Sequence, residues 1–245
     1  GNMEIRIAVA KIDKSGSGKS GDTVETTERP NGGVSVVLAD GRLRGEDQKS
    51  ISTMVSHRVI DHISDGVRDG AAIRATSSSI FAEHQGAIQA NLNVVSADLQ
   101  TNTILVSRNN PVPVFLINGE QVDCLASESE SIGGQGDVTP TIVELQIQPG
   151  MAVIVFSDGV YNAGRKQQSI PDICTTIEAL IEEQEPSAQE IADFLLNRAI
   201  RLDEGRPKDD MSVVVMLVSP RSSDRLRRMN LTMRIDDSTS NALNP

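Results

Sequence analysis

Three hydrophobic segments of this 245-residue chain are flanked by an aspartate. Asp40 follows VVLA, Asp158 follows IVFS, and Asp209 precedes DMSVVVMLV, with glycine directly after the first two. A buried strand holds a carboxylate at its end rigidly, and a neighbouring glycine lets another group approach the backbone closely. These aspartates and Asp22 would repel one another strongly if the fold brought them together. A hard divalent cation is the expected partner, and oxygen-only ligation favours magnesium or manganese over zinc.

The loop that carries Asp22 also contains part of a nucleotide-binding motif. Residues 11–22 are KIDKSGSGKSGD, in which GKS matches the end of a phosphate-binding P-loop. That motif also needs a glycine at the position of Asp13 and a helix that starts at the lysine, whereas threonine, valine, proline and glycine follow here. We therefore predict a lysine-bearing loop between two strands, with Asp22 as the residue that does chemistry.

The composition argues against nucleic-acid-binding, membrane and disulfide-rich proteins. Hydrophobic residues make up 38%, aromatic residues 2%, and the net charge is −11. An acidic surface repels nucleic-acid phosphates and few rings are present for base stacking, so we predict no nucleic-acid binding. No apolar run approaches the roughly 20 residues of a membrane span, and the N-terminal residues lack the layout of a signal peptide. Cys124 and Cys174 form no CxxC pair, which argues against a disulfide framework or zinc site and favours a protein of the cytoplasm.

Hydrophobic periodicity predicts strands and helix pairs in alternating blocks. Apolar residues at helical spacing predict two helices between residues 46 and 86, and two more after residue 170. The last of these starts at Ser187, where Glu190 three residues on completes a capping box. Asn118-Gly119 predicts a hairpin, and Pro149-Gly150 predicts a second pair of neighbouring strands. Strands joined by hairpins imply antiparallel sheets covered by helices, an α+β class. The predicted strands are Ile5–Ile12, Val34–Asp40, Asn91–Leu99, Thr103–Ser107, Val112–Ile117, Gln121–Leu125, Thr141–Ile147, Met151–Ser157 and Met211–Val218.

The C-terminal residues 220–245 differ in composition from the rest. They are rich in Ser, Arg, Asp and Asn, which is typical of a mobile tail. Leu231, Met233 and Ile235 alternate with polar residues, which is the pattern of a short strand docked on a sheet. The sequence is therefore compatible with a mobile tail and with a docked strand.

Four short motifs together resemble the metal-binding motifs of protein phosphatase 2C, in particular the bacterial serine/threonine phosphatases of the stage II sporulation protein E type. The motifs are KSGD at 19–22, VVLADG at 36–41, VIVFSDG at 153–159 and DDMSVVV at 209–215. The resemblance covers residues 4–218 and implies one phosphatase domain at 4–219. It also implies a four-layer α-β-β-α sandwich of two antiparallel sheets, each flanked by a helix pair.

The same resemblance implies a site for two Mn²⁺ or Mg²⁺ ions that activate a water molecule for attack on a phosphoserine or phosphothreonine. Asp40 would bridge both ions, and the Gly41 carbonyl would bind one of them. Asp158 and Asp209 would hold the other ion. Asp22 would support the site directly or through a bound water, so Asp22 and Asp40 are the catalytic candidates.

Residues beside these motifs are candidates for supporting or substrate-binding roles. Asp210 follows a ligand position and would support it. The family's usual DGMGHG or DGMGNG is DGRLRG here, so Leu43 replaces a glycine between Arg42 and Arg44. The arginines could contact a phosphate or an acidic surface, or lie in solvent on a loop.

The resemblance, together with the altered DGRLRG segment, is compatible with two functions of different classes. The first is a metal-dependent protein phosphatase acting on a phosphoprotein regulator of the anti-anti-sigma type. The alternative, motivated by Leu43, is a catalytically weak relative that acts as a binding module. The oligomeric state stays open in both cases.

Overall fold

The fold is given by a computed structural model, which describes residues 3–42, 48–166, 168–220 and 224–235. The strands are β1 (Glu4–Ile12), β2 (Asp22–Glu28), β3 (Gly33–Arg42), β4 (Gln89–Asp98), β5 (Thr103–Asn109), β6 (Val114–Asn118), β7 (Gln121–Leu125), β8 (Thr141–Gln146), β9 (Ala152–Phe156) and β10 (Met211–Ser219). The helices are α1 (Gln48–Ser64), α2 (Asp69–His84), α3 (Asp158–Tyr161), α4 (Ile170–Glu183) and α5 (Ala188–Leu202).

These strands form two five-stranded sheets in which all neighbours pair antiparallel. Sheet 1 has the strand order β1-β10-β9-β6-β7, and sheet 2 has the order β2-β3-β4-β5-β8. The hairpin predicted at Asn118-Gly119 joins β6 to β7. Because short connections join several consecutive strands, the sheets are antiparallel rather than built from crossover helices.

Buried apolar side chains form three layers, which makes the molecule a four-layer α-β-β-α sandwich. The central layer lies between the sheets and includes Val36, Val106, Val153 and Val214. The helices α1 and α2 cover sheet 2 through side chains such as Val55, Val59 and Ile73. The helices α4 and α5 cover sheet 1 through side chains such as Ile177, Ile191 and Leu195. The predicted α+β class and layer order are confirmed.

Serine side chains begin both helices of the sheet 1 pair. Ser169 accepts a hydrogen bond from the Asp172 amide, and Ser187 accepts one from the Glu190 amide, each at 3.1 Å. The cap predicted from Ser187 and Glu190 is therefore confirmed at the start of α5. None of the helices in the described ranges is both long and apolar enough to span a bilayer.

The strand β2 was not predicted from the sequence, which indicated only a loop between β1 and β3. Six of its seven residues, DTVETTE, are polar, because β2 is the edge of sheet 2 and pairs with β3 alone. Lys19 and Ser20 thus lead into a strand rather than a helix, which confirms that residues 11–22 are not a P-loop.

The pairing predicted through Pro149-Gly150 was wrong. The strand β8 pairs with β5 in sheet 2, whereas β9 lies between β10 and β6 in sheet 1. All five residues of β9 are buried, because a central strand of a sandwich is covered on both faces. The short turn therefore carries the chain from one sheet to the other.

Residues 224–235 form no strand and bury little surface. Their large apolar side chains are exposed to solvent; these are Leu226, Met229, Leu231, Met233 and Ile235. The segment contacts the sandwich through an ion pair of 3.0 Å between Arg227 Nε and Glu28 Oε1, both of which are exposed.

A chain that ends at Pro220 should melt within about 4 °C of the full chain, since an exposed ion pair contributes at most about 1 kcal/mol. The measurement is thermal unfolding followed by circular dichroism. A fall of more than about 5 °C would mean that the tail stabilises the sandwich, contrary to the exposure of its apolar side chains.

Candidate functional site

Three polar residues form a row across sheet 2 at one end of the sandwich. Asp22 of β2 lies opposite Asp40 of β3, and Asp40 lies opposite Asn91 of β4. Side chains alternate between the faces of a strand, and Val36 and Leu38, in step with Asp40, belong to the core between the sheets. The row therefore faces sheet 1 rather than the helices.

Sheet 1 brings two further aspartates to the same end. The strand β9 ends just before Asp158, and β10 begins just after Asp209 and Asp210. These strands are neighbours, and a Cβ atom on Gly159 would lie only 2.1 Å from the carbonyl oxygen of Asp210. Glycine is required at position 159 because the backbones that carry Asp158 and Asp209 touch there.

Gly41, which follows Asp40 as Gly159 follows Asp158, also has a packing role. It is buried, and a Cβ atom there would meet Ile51 Cβ at 2.7 Å and the Gln48 carbonyl oxygen at 2.8 Å. The first turn of α1 therefore packs directly against the end of β3 that carries Asp40. The side chain of Arg42 and all of Leu43 and Arg44 lie outside the described residues.

Asp22 is a buried carboxylate at 2% exposure. The Ser212 hydroxyl donates to its Oδ2 at 2.7 Å, which links β2 to β10 across the two sheets. Burial raises the pKa of Asp22 to about 6, and the negative charge of Asp210 adds to the rise, whereas the Ser212 hydrogen bond lowers it. Burial and the neighbouring carboxylates therefore outweigh the positive charge of Lys11, so the ionised form of Asp22 is disfavoured.

Two lysines fix the backbone at Asp22 from opposite sides. The Nζ atoms of Lys11 and Lys49 each donate to the Asp22 carbonyl oxygen at 2.8 Å, and Lys49 also donates to Thr23 Oγ1. Burial is the main cause that lowers the pKa of both lysines. The charge of Lys49 lowers the pKa of Lys11 further and the charge of Lys19 lowers that of Lys49, whereas the charge of Asp22 raises both. The lysines anchor this end of β2 and bring cationic groups next to the aspartates.

Asp158 is oriented by a side chain of the opposite sheet. The Asn91 amide donates to Asp158 Oδ2 at 3.3 Å, and the Ser131 hydroxyl donates to Asn91 Oδ1 at 2.7 Å. Asn91 is 1% exposed, and its hydrogen bonds to Ser131 and Asp158 orient the partly exposed carboxylate of Asp158.

Asp210 has a structural function that is visible in its hydrogen bonds. Its Oδ1 accepts from the Lys14 amide at 2.7 Å, and its Oδ2 accepts from the Gly21 amide at 2.8 Å. Both carboxylate oxygens therefore hold the loop of residues 13–21 closed at its two ends. We interpret Asp210 as a clamp for this loop rather than as a metal ligand.

Asp210→Ala should lower the free energy of unfolding by about 2 to 3 kcal/mol, because two backbone amides lose a charged acceptor. Urea denaturation monitored by circular dichroism measures this change. Asp61→Ala, at an exposed position of α1, is the matched control and should change stability by less than about 0.5 kcal/mol. Equal stability of Asp210→Ala and the parent chain would contradict the clamp.

The donor set fits hard divalent cations. Asp40 and Asp158 are partly exposed and Asp209 is exposed, so their oxygens reach the solvent end of the sandwich, and every candidate donor is oxygen. Within the described ranges no three carboxylate, histidine or cysteine side chains are close enough to enclose a single ion.

Sequence reasoning missed several residues that the fold brings to this site. Asn91 and Ser131 orient Asp158, Ser212 binds Asp22, and Lys49 contacts the Asp22 backbone. Asn91 could have been suspected, since an amide between two apolar residues of a strand, Ala90 and Leu92, calls for a buried partner. Neither Ser212 nor Lys49 carries a local signal, because each depends on pairing between distant segments.

Comparison with known proteins identifies relatives of this chain. The family model of stage II sporulation protein E (SpoIIE) matches residues 30–219. Stage II sporulation protein E of Priestia megaterium is 24% identical over 211 residues, which cover 86% of this chain. The chain spans only 36% of that relative's length.

Two solved structures are similar in fold. The first is the PP2C phosphatase domain, with a fragment of the regulatory domain, of the cell fate determinant SpoIIE from Bacillus subtilis. It has a TM-score of 0.76 and 22% identity, over 90% of this chain and 64% of that one. The second is the catalytic domain of the serine/threonine phosphatase PstP in complex with two manganese ions. It has a TM-score of 0.68 and 18% identity, over 89% of this chain and 100% of that one. At these identities the structures establish the shared fold.

Proposed function

The chain belongs to the stage II sporulation protein E family, and we propose on that premise that it is a metal-dependent protein serine/threonine phosphatase. It hydrolyses phosphoserine or phosphothreonine at the end of the sandwich where Asp22, Asp40, Asp158 and Asp209 lie. The reaction needs no cysteine nucleophile and no covalent phosphoenzyme.

One observation carries this proposal: aspartates from both sheets converge at one end of the sandwich. Asp22 and Asp40 come from adjacent strands of sheet 2, while Asp158 and Asp209 lie just beyond the ends of adjacent strands of sheet 1. Buried or half-buried carboxylates in such proximity destabilise one another unless cations are bound. The raised pKa of Asp22 has the same cause, since burial and the charges of Asp210 and Asp209 all raise it.

The residues have distinct roles in holding two Mn²⁺ or Mg²⁺ ions. Asp40 and the Gly41 carbonyl would bind from sheet 2, and Asp158 and Asp209 would bind from sheet 1. Asp22 would accept a hydrogen bond from a water of the ion's shell or bind directly. When bound, the ions supply an activated water nucleophile and neutralise charge on the phosphoryl group.

The surrounding residues orient this donor set. Ser212 holds Asp22, and Asn91 holds Asp158, so both carboxylates are fixed before an ion arrives. Such outer partners fix ligand geometry and reduce the reorganisation that binding requires. Gly159 allows the backbones next to Asp158 and Asp209 to touch, which sets the separation of the sheet 1 ligands.

We propose that the substrate is a phosphoprotein regulator, of the anti-anti-sigma type by resemblance to the family. Its phosphorylated residue enters the open end of the sandwich, where Asp209 is exposed. The net charge of −11 is unsuited to nucleic acid, which agrees with a protein partner.

The test is phosphate release from three peptides that differ only in the phosphorylated residue. With manganese present, the phosphoserine and phosphothreonine peptides should be hydrolysed and the phosphotyrosine peptide should react far more slowly. Equal hydrolysis of all three would contradict the serine/threonine assignment. Hydrolysis that is independent of manganese would contradict the metal site.

A second candidate function, a binding module without catalysis, is favoured by one observation. The DGRLRG segment at 40–45 has Leu43 and two arginines where the family has glycine and other residues. Thermal unfolding separates the candidates, because ligand binding to the native state raises the melting temperature whether or not turnover occurs. A manganese-induced rise without phosphate release from any of the peptides would establish the second function.

A further inference from the structure

The loop of residues 13–21, which we name the lysine loop, forms one wall of a pocket beside the aspartates. The pocket has a volume of about 340 Å³. Its lining includes Lys14, Ser17, Lys19, Ser20, Lys49 and Asp209. Since Asp209 is a candidate metal ligand, a group bound in this pocket lies next to the phosphoryl group bound at the aspartates.

The lysine loop has a fixed shape. Asp210 accepts hydrogen bonds from the Lys14 and Gly21 amides at its two ends. The Ser15 amide donates to the Pro207 carbonyl at 2.9 Å, which ties the loop to the segment before β10. A loop closed by three such contacts presents its side chains in a defined arrangement before ligand binding.

Most lysines of this acidic chain lie at this pocket. The chain has a net charge of −11, yet Lys11, Lys14, Lys19 and Lys49 all lie on or beside the lysine loop. Only two other lysines, Lys166 and Lys208, occur in the sequence. Lys14 and Lys19 are exposed, so their ammonium groups are accessible to a ligand that enters the pocket.

We propose that this pocket binds a second anionic group of the phosphoprotein substrate, on a residue next to the one that is dephosphorylated. The inference rests on the proposed phosphatase function and names a specificity determinant for it. The second group is a carboxylate or a second phosphoryl group, which share the negative charge and oxygen acceptors that lysine recognises. Ser20 adds a hydroxyl donor to the same lining, since its oxygen accepts from the Asp22 amide at 3.2 Å, whereas the Ser17 hydroxyl donates to the Lys19 carbonyl.

Lys14 and Lys19 are the residues that discriminate. Lys49 already donates to Asp22 and Thr23, so it contributes a fixed charge at the base of the pocket. Asp210 also lines the pocket, but its two oxygens accept from the loop amides. Lys14 and Lys19 line the pocket and are exposed, so their side chains provide the contacts that depend on substrate sequence.

The experiment compares phosphoserine peptides whose flanking residues are alanine, glutamate or a second phosphoserine. With manganese, the glutamate or doubly phosphorylated peptide should have a kcat/KM about five- to tenfold above that of the alanine peptide, as expected for two partly exposed charge pairs. In Lys14→Gln/Lys19→Gln this ratio should fall to about one. Which of the two anionic peptides is preferred identifies the source of the second group.

Arg6→Gln is the matched control, because Arg6 lies toward the other end of β1 and also carries one positive charge. This variant should keep the parent ratio. A parent ratio of one, or an unchanged ratio in Lys14→Gln/Lys19→Gln, would overturn the inference.

Binding separates this inference from the proposed function. Fluorescence anisotropy of labelled peptides, with manganese present, should show tighter binding of the glutamate peptide than of the alanine peptide, and the difference should vanish in Lys14→Gln/Lys19→Gln. That result would support the pocket even if no peptide were hydrolysed, whereas the phosphatase proposal would then fail. Equal affinity for both peptides in the parent chain would overturn the pocket.

Discussion

Asp40→Asn should reduce manganese-dependent phosphate release by at least about 10³-fold, the largest loss that we expect from any single substitution. Asparagine keeps the shape of the side chain but removes the charge at the position opposite both Asp22 and Asn91. The chain should still fold, because removing one of several clustered negative charges relieves repulsion in the metal-free protein. Steady-state kinetics with para-nitrophenyl phosphate and circular dichroism measure the two quantities.

Asp137→Asn is the control for Asp40→Asn. Asp137 is exposed on a loop, and its replacement makes the same chemical change, carboxylate to amide. It should keep the parent rate. Full activity of a folded Asp40→Asn variant would show that Asp40 holds no catalytic ion, and the metal assignment in sheet 2 would be wrong.

Gly159→Ala should destabilise the protein by about 3 kcal/mol, because the added methyl group would lie 2.1 Å from the backbone oxygen of Asp210. The two backbones must separate, and this separation also moves Asp158 away from Asp209. A misplacement of about 1 Å commonly costs about 100-fold in rate, so phosphate release should fall to that extent even in the molecules that are folded. Urea denaturation and kinetics at low temperature measure the two effects.

Gly136→Ala is the control for Gly159→Ala. A Cβ atom at Gly136 meets Phe81 at 3.4 Å, an ordinary contact, so this variant should lose less than about 0.5 kcal/mol. Parent stability and activity in Gly159→Ala would mean that the contact between the two ligand-bearing backbones has no functional role.

The central strands and the aspartates at their ends could be predicted from the sequence because the signals are local. The segments before Asp40 and Asp158 are continuous apolar runs, which a central strand requires, and the following glycine marks a close backbone approach. Only the structure shows which group approaches Gly159: it is the backbone of Asp210, directly before the neighbouring strand β10.

The edge strand β2 and the sheet change at Pro149-Gly150 could not be predicted. The sequence DTVETTE has few apolar residues because an edge strand needs only one buried face, and a short turn is compatible with a hairpin or with a step between sheets. The bonds from Ser212 to Asp22 and from Asn91 to Asp158 connect distant segments, so they follow from the assembled sandwich rather than from any local pattern.

The most direct test of the metal-dependent phosphatase is hydrolysis of para-nitrophenyl phosphate with millimolar manganese, after addition of a chelator, and after manganese is restored in excess. We expect turnover with manganese, its loss with the chelator and its return when the metal is added back. Turnover that continues in the chelator would contradict the metal mechanism. The absence of turnover under every condition, together with no hydrolysis of the phosphopeptides, would contradict catalysis and leave the aspartates as a binding site.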